Sequence, residues 1–299
     1  MNKVAVFGQS YSVSAVKEIN NLLDVLSDHK VEVHIESGFY ALLKEENVIN
    51  ASFETYDSFN DLNSTFDLMF TIGGDGTILR AVTYIRDLNI PILGINTGRL
   101  GFLATINKNS IRENVELIID KKFSIQERTL LEVGLNPTLN GFDELNFALN
   151  EVTIARKNTT SMIGVKTNLN GEYLTNYWSD GLIIATPTGS TGYSLSCNGP
   201  VISPDSKNLV ITPIAPHNLN ARPMVISDET KIDLLVDSRE KEFLISLDSR
   251  IISVPEKTKV SIQKAGFCIS TITPHSQSFL KTLRSKLLWG EDTRNENNL

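Results

Sequence analysis

Cysteine is nearly absent: Cys197 and Cys268 are the only two in 299 residues, and they make neither a CxxC pair nor a disulfide framework. Four histidines, His29, His34, His217 and His275, include no HExxH or other metal spacing, so no protein-held metal site is assigned. No stretch approaches the roughly 18 uninterrupted apolar residues of a membrane span. The opening run Met1–Gly8 is short for a secretory signal. A cytoplasmic protein with no membrane partner is expected. Basic charge is scarce too, with 28 Lys and Arg against 35 Asp and Glu, a net charge of −7 and a pI near 5.2. Sequence-independent nucleic-acid binding needs a positive surface to displace condensed counterions, so no nucleic-acid partner is expected and any anionic ligand must be held locally. Two familiar nucleotide signatures are missing: GxxxxGK[ST] does not occur, and no GxGxxG follows a strand.

What is present is ordinary globular composition, 41% hydrophobic and 21% charged, in a chain long enough for two domains with a core each. Short β-rich runs at residues 3 to 8, 31 to 35, 67 to 72 and 91 to 95 alternate with helical periodicity at 12 to 27 and 109 to 121, the pattern of βαβ units around a parallel sheet. From about Thr129 the texture changes to short alternating segments, such as Leu130–Val133, Met162–Val165, Lys231–Val236 and Lys259–Ile262, which predict antiparallel sheets. Helical spacing returns from Ser276 to Trp289, and the polar tail Glu291 to Leu299 is expected to be mobile. No repeat of fixed period is visible.

Gly73-Gly74-Asp75-Gly76-Thr77 is the most informative segment of the first half. It follows the apolar strand 67 to 72 and precedes the helical run Ile78-Leu79-Arg80-Ala81-Val82, so it falls at the carboxyl end of a parallel strand. Open α/β sheets bind ligands at that edge, and a helix N-terminus there offers free N–H groups to phosphate. Glycine lets the backbone approach an anion closely. Gly73, Gly74, Gly76, Thr77 and Arg80 are therefore candidates for holding a phosphoryl donor. A lone carboxylate amid them needs a reason, such as contact with a hydroxyl or with a metal ion carried by the phosphates. The alternative is a tight turn with Asp75 as an N-cap, and the motif alone leaves both open.

A second turn, Asn96-Thr97-Gly98-Arg99-Leu100-Gly101-Phe102-Leu103, follows the strand at 91 to 95; Arg99 is more simply a solvated turn residue than a phosphate ligand. In the second half, Asp180-Gly181 leads through an apolar strand into Thr186-Pro187-Thr188-Gly189-Ser190-Thr191-Gly192-Tyr193-Ser194-Leu195-Ser196. Hydroxyls and free N–H groups at this density suit the edges of an adenine and its ribose, and Tyr193 adds a flat face with a polar end. A Ser/Thr-rich turn capped for local reasons is the alternative. GxSxG is absent, which removes a serine-nucleophile reading. Asn150-Glu151 before the strand Val152–Ala155 could read a base edge and ribose hydroxyls, although a dipeptide has no specificity by itself.

In this order, Gly-Gly-Asp-Gly-Thr at 73 to 77, Asn-Thr-Gly-x-Leu-Gly-Phe-Leu at 96 to 103, Asn-Glu at 150 to 151 and Asp-Gly-x-Ile-x-x-Thr-Pro-Thr-Gly-Ser-Thr at 180 to 191 resemble the NAD kinase family. The likeness continues through Thr212-Pro213-Ile214-Ala215-Pro216-His217 to Arg222-Pro223. The resemblance implies an α/β Rossmann-like N-terminal domain over 1 to 128 and a β-rich, antiparallel C-terminal domain over 129 to 272. It further implies a dinucleotide site between them and a C-terminal helix in 273 to 299 packing back on the first domain. It implies phosphorylation of the adenosine ribose 2′-hydroxyl of NAD, with ATP or polyphosphate as donor, Mg²⁺ accompanying the donor, and a homodimer or homotetramer. Carried over by position, Asp75 is the catalytic base, and Asp75, Gly76, Asn150, Glu151, Asp180, Thr188, Thr191, Gly192, Tyr193 and Ser196 are the NAD-binding set.

Three departures stand out. Gly192 replaces a frequent Ala and is expected to widen the pocket floor. Asn198 replaces the first Gly of Gly-Gly-Pro, where Asn best tolerates a left-handed backbone. Ser249-Arg250 replaces a frequent Gly-Gln after Asp248, which puts the local hairpin in question. Two rivals remain at this level. A lipid kinase of the diacylglycerol kinase type also resembles the chain in its Gly-Gly-Asp-Gly-Thr loop, and a silent NAD-binding sensor would share every motif.

Overall fold

The computed structural model describes residues 1–9, 15–98, 101–104, 106–107, 110–158, 161–275 and 277–288. They fall into two compact units, Met1–Glu127 together with the residues from Ile269 onward, and Arg128–Cys268.

The first unit opens β1 (Lys3–Gly8), α1 (Val16–Asp28), β2 (Glu32–Glu36), α2 (Ser37–Glu45), β3 (Glu54–Tyr56), β4 (Leu68–Gly73), α3 (Asp75–Ile85), β5 (Ile92–Asn96), β6 (Ile106–Asn107) and α4 (Ile111–Ile119). The strands are parallel in the order β3-β2-β1-β4-β5. Val4 to Phe7 and Leu68 to Ile72 are buried throughout, as expected of central strands covered on both faces. The helices supply that cover with stripes at helical spacing, Ile19, Leu22, Leu23 and Leu26 from α1 and Ile111, Val115 and Ile118 from α4. Each fully buried aliphatic contributes roughly 1.5–3 kcal/mol. Chain order reverses between β1 and β4, and such a switch point opens a crevice beyond the carboxyl ends of the two strands. Gly8 and Gly73 end those strands.

The second unit carries the end of β7 (Phe123–Asn136), then β8 (Phe147–Ala148), β9 (Glu151–Arg156), β10 (Ile163–Leu169), β11 (Glu172–Ser179), β12 (Gly181–Ala185), α5 (Tyr193–Ser196), β13 (Asn208–Ile214), β14 (Met224–Ser227), β15 (Ile232–Asp237), β16 (Glu242–Leu247), β17 (Arg250–Pro255) and most of β18 (Lys259–Pro274). One antiparallel sheet runs β14-β13-β12-β9-β16-β17 and another joins β11-β10-β15-β18. Alternating burial along β15 and β16 puts one face of each strand in the core. Residues from both sheets, among them Ile154, Leu182, Phe243, Val165, Leu234 and Ile262, share one buried cluster. The last helix, α6 (Phe279–Leu287), is grouped with the first unit.

The α/β first half and the β-rich second half match the expected fold class. Observed elements lie within a few residues of the expected ones, such as 16–28 for 12–27 and 279–287 for 276–289. Residues 12–14, 109, 276, 289 and the tail 291–299 lie outside the described residues. In the first unit α2, β3 and the two-residue β6 were not expected. α2 buries only Phe39 and Leu43, too few for a readable stripe, and is started by the Glu36 carboxylate, which accepts from Phe39 N at 2.8 Å. β3 is three residues long, too short for alternation to show, and is held by its Tyr56 hydroxyl donating to Val6 O at 3.1 Å.

Candidate active site

At the end of β4 the chain turns through Gly73 and Gly74 into α3. Gly73 has φ +154°, and an added Cβ there would lie 2.1 Å from Thr77 Oγ1, so only glycine fits this turn. Gly74 and Gly76 are exposed, and a Cβ on either would meet nothing within 4 Å. The Asp75 side chain does not cap its own helix. Gly74 is the N-cap residue, without a side-chain cap bond, and the Asp75 carboxylate reaches the turn after β5 instead. Oδ2 accepts from Phe102 N at 2.7 Å, and Oδ1 from Leu103 N and Ala104 N, each at 3.0 Å. Gly101 makes room for this cradle. A carboxylate offers about four lone-pair sites, so three N–H donors leave one, on Oδ2. Arg80, one helical turn further and exposed, donates Nε and Nη1 to the Gln9 amide oxygen at 3.0 and 2.6 Å in the amide orientation that pairs donor with acceptor. Gln9 directly follows β1, so both sides of the switch point are represented. Gly73, Gly74, Asp75, Gly76, Thr77 and Arg80 thus occupy one strand end and one helix start; Arg99 and Leu100 lie outside the described residues.

In the second unit β12 runs into a 3₁₀ turn, Thr188–Thr191, and then α5. This bend packs backbone to backbone on residues 149 and 150: Thr186 N donates to Asn150 O at 2.9 Å, Thr186 Oγ1 to Leu149 O at 2.6 Å, and a Cβ on Gly189 would fall 2.1 Å from Asn150 O. Several hydroxyls expected to face a ligand already make hydrogen bonds within the protein. Ser190 Oγ donates to Pro187 O at 2.7 Å and accepts from Ile202 N, Ser194 Oγ pairs with Thr212 Oγ1 at 2.8 Å, and Thr191 Oγ1 donates to Thr188 O at 3.2 Å. The Ser/Thr density is therefore in good part scaffold, as a local turn reading holds. Tyr193 and Ser196 remain exposed.

Asn150 and Glu151 are more than a loop pair. Asn150 Oδ1 and Glu151 Oε2 are buried without a hydrogen-bond partner among the described residues. Gly192 sits against both; a Cβ there would lie 2.9 Å from Glu151 Oε2 and 3.5 Å from Asn150 Nδ2. The space expected from glycine at 192 is taken up by the Glu151 carboxyl. Burial, then the nearby Asp248 charge, push Glu151 up to about 7, against one N–H from Tyr193 that lowers it. Such a group exchanges its proton near neutral pH and can either donate or accept. Asp180 is paired with Arg156 Nη1 at 2.9 Å, and with Glu151 it adds to the burial that raises the Tyr193 phenol.

The hairpin in question at 248 to 250 is formed. Leu247 pairs with Arg250 around Asp248-Ser249, and Asp248 takes φ 54°; Asn198 likewise takes φ 65°. Two residues near the predicted sets carried no motif signal, Gln9 and Arg156, while Asp248 and Arg250 stood out only as part of a departure from the family pattern. Gly101 was visible as a motif glycine, but nothing in the sequence pointed to its contact with Asp75. The cavities of about 500, 480 and 400 Å³ in the second unit are lined by none of the residues 149–151 or 188–196. Among the described residues no cluster of three or more His, Cys, Asp or Glu is placed to hold a metal ion.

Two family models match the chain, the ATP-NAD kinase N-terminal domain over residues 4–123 and the ATP-NAD kinase C-terminal domain over 149–277. Over 98% of its length the chain is 53% identical to all of the NAD kinase of Christiangramia forsetii, and over 98% it is 52% identical to all of that of Flavobacterium psychrophilum. Among solved structures, an NAD kinase from Archaeoglobus fulgidus in complex with ATP superposes with a TM-score of 0.74 at 26% identity, over 96% of this chain and 98% of that one. Yeast NADH kinase complexed with NADH shares the fold, with a TM-score of 0.83 at 22% identity over 97% of this chain and 88% of that one.

Proposed function

The chain belongs to the NAD kinase family, and from that premise we propose which of its residues carry out the phosphorylation of NAD to NADP. NAD kinase activity is the function of the chain, with NAD and ATP as substrates. The lipid-kinase reading falls with the two domain matches.

Asp75 is the residue on which the proposal rests, and the observation that carries it is the three-N–H cradle around its carboxylate. A carboxylate clamped in this way has a fixed direction, and phosphoryl transfer depends above all on positioning and charge neutralisation. The adenosine ribose 2′-hydroxyl approaches the open lone pair of Oδ2. As its oxygen bonds to the γ-phosphorus, the bond from that phosphorus to the β–γ bridging oxygen breaks, ADP leaves, and the hydroxyl proton passes to Oδ2. A weak base suffices because the hydroxyl becomes acidic only as the new bond forms. Gly73, Gly74, Gly76 and Thr77 present the helix start to the donor phosphates, and Arg80 adds charge beside them. In the second unit Asn150, Glu151, Asp180, Thr188, Thr191, Gly192, Tyr193 and Ser196 hold the dinucleotide. A divalent cation such as Mg²⁺, carried by the donor, would supply charge neutralisation at the phosphate oxygens.

The absence of a candidate membrane-spanning helix among the described residues is consistent with a cytoplasmic enzyme. A homodimer or homotetramer completes the proposal. Incubating purified protein with Mg²⁺-ATP and NAD and separating the products tests it: NADP formed by the native chain and lost in Asp75→Asn is expected, and its absence from the native chain overturns it.

A further inference from the structure

The hairpin joining β16 to β17 holds the segment before β9 at several points. Asp248, first residue of its turn, takes three backbone N–H bonds, from Leu149 to Oδ2 at 2.9 Å and from Asn150 and Glu151 to Oδ1 at 2.8 and 3.2 Å. Its own N–H returns to Glu151 O at 3.0 Å. Arg250, across the turn, donates Nη1 to Leu145 O at 2.7 Å and Nη2 to Phe147 O, with its guanidinium 5.3 Å from the Phe147 ring centre. One hairpin thus anchors residues 145, 147, 149, 150 and 151.

That segment ends in the two buried acceptors that the protein leaves unpartnered, Asn150 Oδ1 and Glu151 Oε2. Leaving a buried polar atom unmet is unfavourable, so such atoms stay in place only where the backbone is over-determined. Donor groups of a ligand would satisfy both. We propose that Asp248 and Arg250 are positioning residues for dinucleotide binding, fixing residues 145–151 so that Asn150 Oδ1 and Glu151 Oε2 stand open to donor groups of the nucleoside. This rests on the assignment of Asn150 and Glu151 to NAD.

Charge links the hairpin to the same site. The titratable groups facing Glu151 are Asp248 from the β16–β17 turn, with Arg250 acting on it, and Tyr193 from α5, whose phenol also senses Asp180. Burial raises Asp248 above the usual carboxylate range, while its three N–H donors and Arg250 oppose that shift. The Asp248 charge is in turn the second cause, after burial, that raises Glu151. Removing the Asp248 charge makes Glu151 a stronger acid, an effect that a purely structural role does not produce.

Asp248→Asn and Arg250→Gln are compared with the native chain in steady-state NADP formation from pH 5.5 to 8.5, with thermal melting on the same samples. For Asp248→Asn the KM for NAD is expected to rise roughly 10-fold with kcat within about 3-fold, and the midpoint of the KM–pH profile should move to lower pH. Arg250→Gln keeps a donor for one carbonyl and should give a smaller KM rise with kcat preserved. It decides the matter if Asp248→Asn does not fold. A KM within twofold of native in the folded variant, or activity reduced only in proportion to the folded fraction with an unmoved midpoint, overturns the proposal. Asn150→Ala and Tyr193→Ala serve as controls. If both also leave KM unchanged, the NAD assignment itself has failed; if they raise it while the hairpin variants do not, only the positioning role has.

Discussion

Gly101 stands where any side chain would collide with Asp75: an added Cβ would lie 1.8 Å from Oδ1 and 2.4 Å from Cγ. The glycine of one strand-end turn is thereby required by the carboxylate of the next. Gly101→Ala must push the carboxylate off its three donors. Since a misplacement of about 1 Å at a reacting group can cost 10²-fold, kcat should fall by about that factor while NAD affinity changes only a few-fold. Turnover close to native would show that the Asp75 position is uncritical.

Asp75→Asn should lower kcat by roughly 10²-fold or more through loss of the base. The cradle adds a second consequence. An amide can accept at its oxygen only, so its NH₂ would face a backbone donor in the 102–104 turn. The oxygen can keep Leu103 and Ala104 at the Oδ1 position, so amide hydrogen exchange at Phe102, which faces the NH₂, should speed up in the variant. Full activity with unchanged exchange would mean that the carboxylate neither reacts nor holds the turn.

Glu151→Gln should show a stability difference from the native chain that depends on pH. A carboxyl raised from its ordinary 4.5 to about 7 on folding binds its proton more tightly in the folded state, so its contribution to stability falls as pH rises from about 4.5 to 7 and is flat above. The variant lacks that loss. Relative to native it should gain on the order of 1–3 kcal/mol between pH 5 and pH 8 in ligand-free urea titrations. A constant difference across that range would place Glu151 among unperturbed carboxylates.

Tyr193 is 45% exposed, so Tyr193→Ala has little core to disturb. With its ring on the dinucleotide, loss of an aromatic contact worth on the order of 1 kcal/mol beyond its area gives a several-fold or larger rise in KM for NAD. The melting temperature should hardly change. An unchanged KM would remove Tyr193 from the binding set.

EDTA should abolish NADP formation, and excess Mg²⁺ or Mn²⁺ should restore it, because the donor loop offers Arg80 but no lysine to neutralise the phosphates. Full turnover after exhaustive chelation would rule out a metal-dependent transfer.

Much of the architecture was legible because periodicity is a local property. Buried runs such as Val4–Phe7, stripes such as Ile19, Leu22 and Leu26, and the alternation along β15 and at the start of β18 are written residue by residue. α2 and β3 were not, since nine residues with two buried side chains and a strand of three carry too little pattern. For the candidate site, the sequence by itself determined the backbone devices: glycine at 73 and 101, where no Cβ fits, and the strand-to-helix turn that puts Asp75 at a strand end. Only the tertiary structure decided where the polar groups point. It turned Asp75 away from its own helix toward Phe102–Ala104, spent the Ser190 and Ser194 hydroxyls on the protein itself, and brought Asp248 from 97 residues downstream onto Glu151. A side chain's partner is set by the register of strands distant in sequence, and such contacts leave no local period to read.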